Sequence, residues 1–255
     1  MSAPVLSVDG LAKSYGGVRA LDGVSFDIRP GELLALIGPN GAGKSTCFNI
    51  VNGQLRPDAG TVRILGRNAT GLPPRAIARL GVGRTFQIAA VFGSMTVAEN
   101  VQTAWLAAHR TVFAFWHPLA NRHRAEALEL LEQTGMAALA DRPAASLAYG
   151  DVKRLELAVA LAGNPKLLLM DEPTAGMSTP ERGALIALVK SLTTERGLAV
   201  LFTEHSMDVV FGHADRVIVL ARGRLIADGG VEAVRNDPRV REVYLGSGLA
   251  SGERQ

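Results

Sequence analysis

Cys47 is the chain's only cysteine, which excludes an internal disulfide and any zinc site built on paired cysteines. It is expected to be a small buried residue on a helix; a reactive thiol is the other reading. Long apolar runs are missing too. The longest are strand-sized, well short of the about 20 residues needed to cross a bilayer as a helix. Charge of one sign is not in excess. The formal net charge is +3 with no long basic run, so neither nucleic acid nor a membrane surface is called for as a partner. The opening Met1-Ser2-Ala3-Pro4 lacks the charged start and apolar core of a secretory signal. A cytoplasmic chain is expected, with any membrane association made through a partner. There is no internal repeat and no low-complexity linker. The chain does have apolar residues, 47% of 255, enough for one large α/β domain or one with an inserted lobe.

The most informative stretch is Gly38-Pro39-Asn40-Gly41-Ala42-Gly43-Lys44-Ser45-Thr46. It fits the G-x-x-x-x-G-K-[ST] phosphate-binding loop at every fixed position. The apolar run Leu33-Leu34-Ala35-Leu36-Ile37 enters it as a buried strand, and Phe48-Asn49-Ile50-Val51 continues as a helix. Gly41 and Gly43 permit torsions that let successive N–H groups converge on phosphate oxygens. The helix N-terminus adds partial positive charge aimed at the same anion. Lys44 would reach the β- and γ-phosphates, and the Ser45 hydroxyl would ligate Mg²⁺. An ordinary glycine-rich turn would not need all these matches. A nucleoside triphosphate is the expected ligand.

Before this loop, Val5-Leu6-Ser7-Val8, a turn at Asp9-Gly10, Leu11-Ala12-Lys13-Ser14-Tyr15 and the alternating Val24-Ser25-Phe26-Asp27-Ile28 predict a small antiparallel sheet. Tyr15 beside its glycines could stack on a base or be a half-buried surface tyrosine. After the loop, Thr61-Val62-Arg63-Ile64-Leu65 reads as a strand, and a further apolar stretch ends in Arg84-Thr85-Phe86-Gln87. From Thr96 to about Met136 the period turns helical, which predicts a helical lobe set into the α/β core. Within it, Val112-Phe113-Ala114-Phe115-Trp116-His117-Pro118 collects several of the few aromatics. These residues would either pack the lobe's own core or form a docking surface, and core packing is the simpler account. The apolar runs Leu167-Leu168-Leu169-Met170, Leu198-Ala199-Val200-Leu201-Phe202 and Val217-Ile218-Val219-Leu220 alternate with helices over 180–195 and 206–212, the pattern of a buried parallel sheet.

An acidic pair, Asp171-Glu172, ends the first of these strands. It falls at the carboxyl edge of the sheet, where α/β folds bind ligands. Asp171 would hold Mg²⁺ opposite Ser45, and Glu172 is suited to orient or deprotonate an attacking water. Gln87 and His205 also end expected strands and could position water, Mg²⁺ or phosphate. Leu147-Ala148-Tyr149-Gly150-Asp151 precedes a helix over 152–163, so its amides could meet an anion.

Taken in order, these pieces resemble the ATP-binding subunits of ABC transporters over nearly the whole chain. Tyr15 matches the adenine-stacking aromatic, residues 38–46 the Walker A loop and Gln87 the Q-loop glutamine. Residues 147–151 match the signature, 167–172 the Walker B strand with its glutamate, and His205 the switch histidine. Arg84-Thr85-Phe86-Gln87, Met95-Thr96-Val97-Ala98-Glu99-Asn100, Glu204-His205-Ser206-Met207-Asp208 and Val243-Tyr244-Leu245-Gly246 are similar to the branched-chain amino acid importer group.

The resemblance implies a P-loop NTPase fold with a RecA-like, mostly parallel sheet. Residues 1–95 and 164–240 would form the core with an antiparallel β-subdomain, 96–163 an inserted helical subdomain, and 241–255 a tail. It implies ATP and Mg²⁺, with Ser45, Gln87 and Asp171 as metal ligands and Glu172, His205 and Gln87 as the catalytic set. Two such ATPase subunits, identical or paralogous, would sandwich two nucleotides, each closed by Ala148, Tyr149, Gly150 and Asp151 of the other chain. Two membrane permeases and, indirectly, an external solute-binding protein complete the expected assembly on the inner membrane face. A lipid or lipopolysaccharide exporter shares the same motifs. A soluble ATPase acting on DNA or ribosomes would typically carry coiled-coil insertions or zinc cysteines, which this chain lacks. The chain departs from the family at Ala148, where serine is usual, at Val152 and Lys153, where Gln and Arg are usual, and at Ser178, where Asp or Asn ends the loop.

Overall fold

All five residues of Leu33–Ile37 (β3) are buried, and they alternate between two cores. Leu33, Ala35 and Ile37 face one apolar cluster, and Leu34 and Leu36 face the other. A strand covered on both sides can be apolar at every position, which is why its sequence shows no alternation. The computed structural model describes residues 3–85, 91–109 and 123–245.

β3 is central in a six-stranded sheet. On one side it pairs in parallel with β8 (Ala199–Thr203), which pairs with β7 (Leu167–Asp171) and then β6 (Val82–Arg84). On the other it pairs in parallel with β9 (Arg216–Ala221), and β10 (Arg224–Gly229) closes that edge antiparallel. The run of parallel strands aligns their carboxyl ends on one edge. Leu36 and Asp171 both stand opposite Thr203, so residues 38, 172 and 205 begin from the same line.

A second, antiparallel sheet orders β1 (Leu6–Tyr15), β2 (Val18–Ile28), β4 (Ala59–Ile64) and β5 (Arg67–Asn68) as β2-β1-β4-β5. Its apolar face shares a core with α1 (Lys44–Val51), whose Phe48 is fully buried. The turn expected at Asp9-Gly10 is instead a bulge inside a continuous β1. The register shifts between Val8 and Leu11, Gly10 adopts φ 59°, and its N–H donates to Ser25 Oγ at 2.8 Å. A glycine with positive φ lets the strand take up an extra residue without turning back.

On the opposite face, α3 (Val97–Ala108), α4 (Arg124–Gln133) and α5 (Tyr149–Leu161) pack together through Val97, Val101, Ala127, Leu131 and Leu155. Thr96 and Glu99 form a reciprocal capping box that starts α3, at 3.1 and 2.8 Å. The aromatic segment 112–118 lies outside the described residues. α5 begins three residues earlier than expected, so Tyr149, Gly150 and Asp151 form its first turn, with Ala148 as N-cap. α6 (Thr179–Arg196) and α7 (Met207–His213) separate the last parallel strands. Ser178 starts α6 by donating from its hydroxyl and N–H to Glu181, at 2.6 and 3.0 Å. The unusual residue at this loop end is thus a helix cap. The short helices α2 (Pro74–Arg79), α8 (Val231–Asn236) and α9 (Pro238–Leu245), and β10, have no counterpart in the sequence reading. No helix among the described residues is long and apolar enough to cross a membrane.

Candidate active site

The loop from β3 to α1 is held by close packing at two glycines. A Cβ at Gly38 (φ 154°) would lie 2.2 Å from the Leu220 carbonyl oxygen, and one at Gly43 (φ 105°) 2.4 Å from that of Ala20. No side chain fits at either place, so β9 and β2 press directly on the loop backbone. The β9–β10 hairpin adds a bond from Gly223 N–H to the Ala42 carbonyl at 3.0 Å.

Lys44 opens α1 and is only 8% exposed. Its ammonium donates to the carbonyls of Gly38 at 2.6 Å and Pro39 at 3.1 Å. Burial lowers its pKa, and the negative charges of Glu172 and Asp171 partly offset that shift. The first-turn amides of α1 have no helical acceptor, and no acidic residue stands in that turn to compete for them. A desolvated ammonium beside a helix N-terminus suits a polyphosphate. Around this loop lies a cavity of about 310 Å³ whose wall includes Tyr15, residues 40–46, Glu172 and His205. Tyr15 is 49% exposed there, with Lys13 Nζ 5.8 Å from its ring centroid.

Asp171 and Glu172 diverge because the backbone turns between them. Glu172 sits at φ 47°, a left-handed conformation costing a non-glycine residue about 1–2 kcal/mol. Thr203 holds it in place. Glu172 N–H reaches the Thr203 carbonyl at 3.2 Å and Oγ1 at 3.0 Å, and the same hydroxyl donates to Asp171 Oδ1 at 2.7 Å. Glu172 therefore faces the cavity, where Oε1 accepts from His205 Nε2 at 2.8 Å. Residues 33 positions apart meet because β7 and β8 are neighbours.

Gln87 lies outside the described residues. Ala148, Tyr149, Gly150 and Asp151 do not line this cavity. Tyr149 is 51% exposed, and its hydroxyl donates to the Ala175 carbonyl at 3.0 Å. Lys153, one of the departures from the family pattern, is buried, pairs with Glu156 at 3.0 Å and lies 5.6 Å from the Tyr149 ring centroid. It therefore braces the first turn of α5. Thr203 and Thr174 went unnoticed in the sequence, and Glu204 was read only as part of the segment 204–208. For Thr203 and Glu204 the signal was a strand ending in polar residues, the same one that singled out Asp171.

Cys47 is fully buried, and burial pushes its thiol up to about 12. The reactive-thiol reading fails, since almost no thiolate forms near neutral pH. The folded protein is expected to leave Cys47 unmodified by a maleimide at neutral pH, whereas the denatured chain reacts readily. Mass spectrometry distinguishes the two, and rapid labelling of the native form would contradict this burial.

The ABC transporter family model matches residues 21–175, and a model described as branched-chain amino acid ATP-binding cassette transporter matches 224–250. The high-affinity branched-chain amino acid transport ATP-binding protein LivG of Salmonella typhimurium is 41% identical, over 96% of this chain and 99% of its own. BraF of Pseudomonas aeruginosa, described in the same words, is 39% identical over the same shares. Among solved structures, an ATP-binding cassette of an ABC transporter in its ADP conformation superposes with a TM-score of 0.86 at 32% identity, covering 96% of this chain and all of that one. A dimeric post-hydrolysis cassette bound to ADP and Pi aligns at a TM-score of 0.73 and 26% identity, covering 89% and 98%. A family model across more than half the chain, together with near-full-length relatives, makes this protein a member of the ABC transporter ATP-binding family, an ATP-hydrolysing transporter subunit.

Proposed function

We propose that this chain powers the import of branched-chain amino acids, with Glu172 as the base that activates water against the γ-phosphate of ATP. The observation that carries the chemistry is the Glu172–His205 hydrogen bond at 2.8 Å on the wall of the Lys44 cavity. Lys44 and the first-turn amides of α1 bind the phosphates, and Tyr15 stacks on the adenine. Glu172 draws the proton from the water, while His205 orients the carboxylate and contacts the γ-phosphate. Ser45, Asp171 and Gln87 would hold Mg²⁺, which would supply positive charge to neutralise the charge developing on the phosphates. Hard oxygen donors of this kind, few in number, suit Mg²⁺, which keeps waters and substrate oxygens as its remaining ligands.

Residues 148–151 stand away from the chain's own cavity, which supports a head-to-tail pair in which each chain closes the partner's nucleotide. Residues 96–163 act as a helical subdomain and, with the segment after Gln87, meet the permeases on the cytoplasmic side. The names of the full-length relatives favour branched-chain amino acids as cargo. In the organism that carries it, deleting the chain is expected to abolish uptake of labelled leucine and isoleucine, restored by the native chain but not by Glu172→Gln. Unchanged uptake in the deletion strain would overturn the cargo assignment.

A further inference from the structure

Glu204 follows β8 directly, is 4% exposed and does not line the nucleotide cavity. Its carboxylate gathers donors from two loops. Oε1 accepts from Thr174 N–H at 3.1 Å and Thr174 Oγ1 at 2.5 Å. Oε2 accepts from the N–H groups of His205 at 3.0 Å and Ser206 at 3.4 Å. One loop carries Glu172 two residues before Thr174; the other carries His205 itself. A buried carboxylate is costly unless its oxygens are satisfied, and here the donors come from beside the two residues that meet at the cavity.

We propose that Glu204 is a positioning residue that clasps the loop after β7 to the loop after β8, so that Glu172 and His205 keep their contact during ATP hydrolysis. This rests on the roles given above to Glu172 and His205. The clasp acts on the backbone. Holding the His205 amide and both donors of Thr174 sets the separation of the two loops, from which the Glu172 carboxylate and His205 imidazole project toward each other. Glu204→Gln preserves size and one acceptor, yet its NH₂ group must face N–H donors on one loop or the other.

In the full-length protein with Mg-ATP, Glu204→Gln is expected to lower kcat about 10- to 100-fold, the cost of a displacement on the scale of 1 Å, with KM for ATP within about twofold of native. Thr174→Val removes the hydroxyl donor alone and should lower kcat less, again at constant KM. The double variant should be no worse than Glu204→Gln, because both changes break one clasp. Native kcat in Glu204→Gln, or KM rising in step with the loss of kcat, would overturn the proposal. If Glu204→Gln does not fold, Thr174→Val with an unchanged melting temperature decides: reduced kcat supports the clasp and native kcat overturns it. Glu172→Gln serves as a control. Undiminished turnover there defeats the assignment of the base, whereas an inactive control beside a native Glu204→Gln defeats only the clasp.

Discussion

Glu172→Gln is expected to lower ATP turnover by about 10²- to 10⁴-fold, the range in which a positioned general base contributes. The amide is isosteric and can still accept from His205 Nε2 through its carbonyl, so the loop keeps its shape. The left-handed backbone at residue 172 is held by Thr203 and does not depend on the carboxylate. Nucleotide binding should persist, because Lys44 and the amides of residues 41–46 are untouched. ATP then binds without being consumed, and the variant should accumulate as an ATP-bound dimer. Phosphate release together with gel filtration in ATP tests both halves. Native turnover would exclude Glu172 as the base.

Lys44→Ala should fail one step earlier, at binding. Losing one partner of a buried, hydrogen-bonded charge pair costs about 2–5 kcal/mol, roughly 30- to several-thousand-fold in affinity. The carbonyls of Gly38 and Pro39 also lose their donor, so the loop loosens as well as losing its charge. The readout is the nucleotide-dependent rise in melting temperature, which mass action ties to affinity. It should vanish in Lys44→Ala at ATP concentrations that stabilise the native chain. A native shift would remove Lys44 from the phosphate site. Glu172→Gln should keep that shift, so the two variants separate binding from chemistry.

Much of this site could be read in advance because its chemistry is local. The phosphate loop is contiguous, its glycines and lysine are set by the strand before it and the helix after it, and no distant residue is needed to recognise it. Buried strands announce themselves in the same way: Leu33–Ile37 and residues 167–170 of β7 are apolar because both faces are covered. Elements with weak periodicity were missed. α2, α8 and β10 span six residues each, too few for a helical or alternating pattern to rise above composition. Asp9-Gly10 was misread because a bulge and a turn use the same residue types, and only pairing with β2 and β4 tells them apart.

The residues from Gly38 to Thr46 are enough to point to a triphosphate ligand, and the order of the motifs points to the family, since both depend on neighbours along the chain. Folding adds the relations across the chain. Parallel pairing of β3, β7 and β8 brings Lys44, Glu172 and His205 to one edge, and Thr203 and Glu204 hold the loops on which the latter two are carried. The reason is geometric. A strand's sequence records whether its faces are buried but not which strand lies beside it, and the reacting groups meet only through that adjacency.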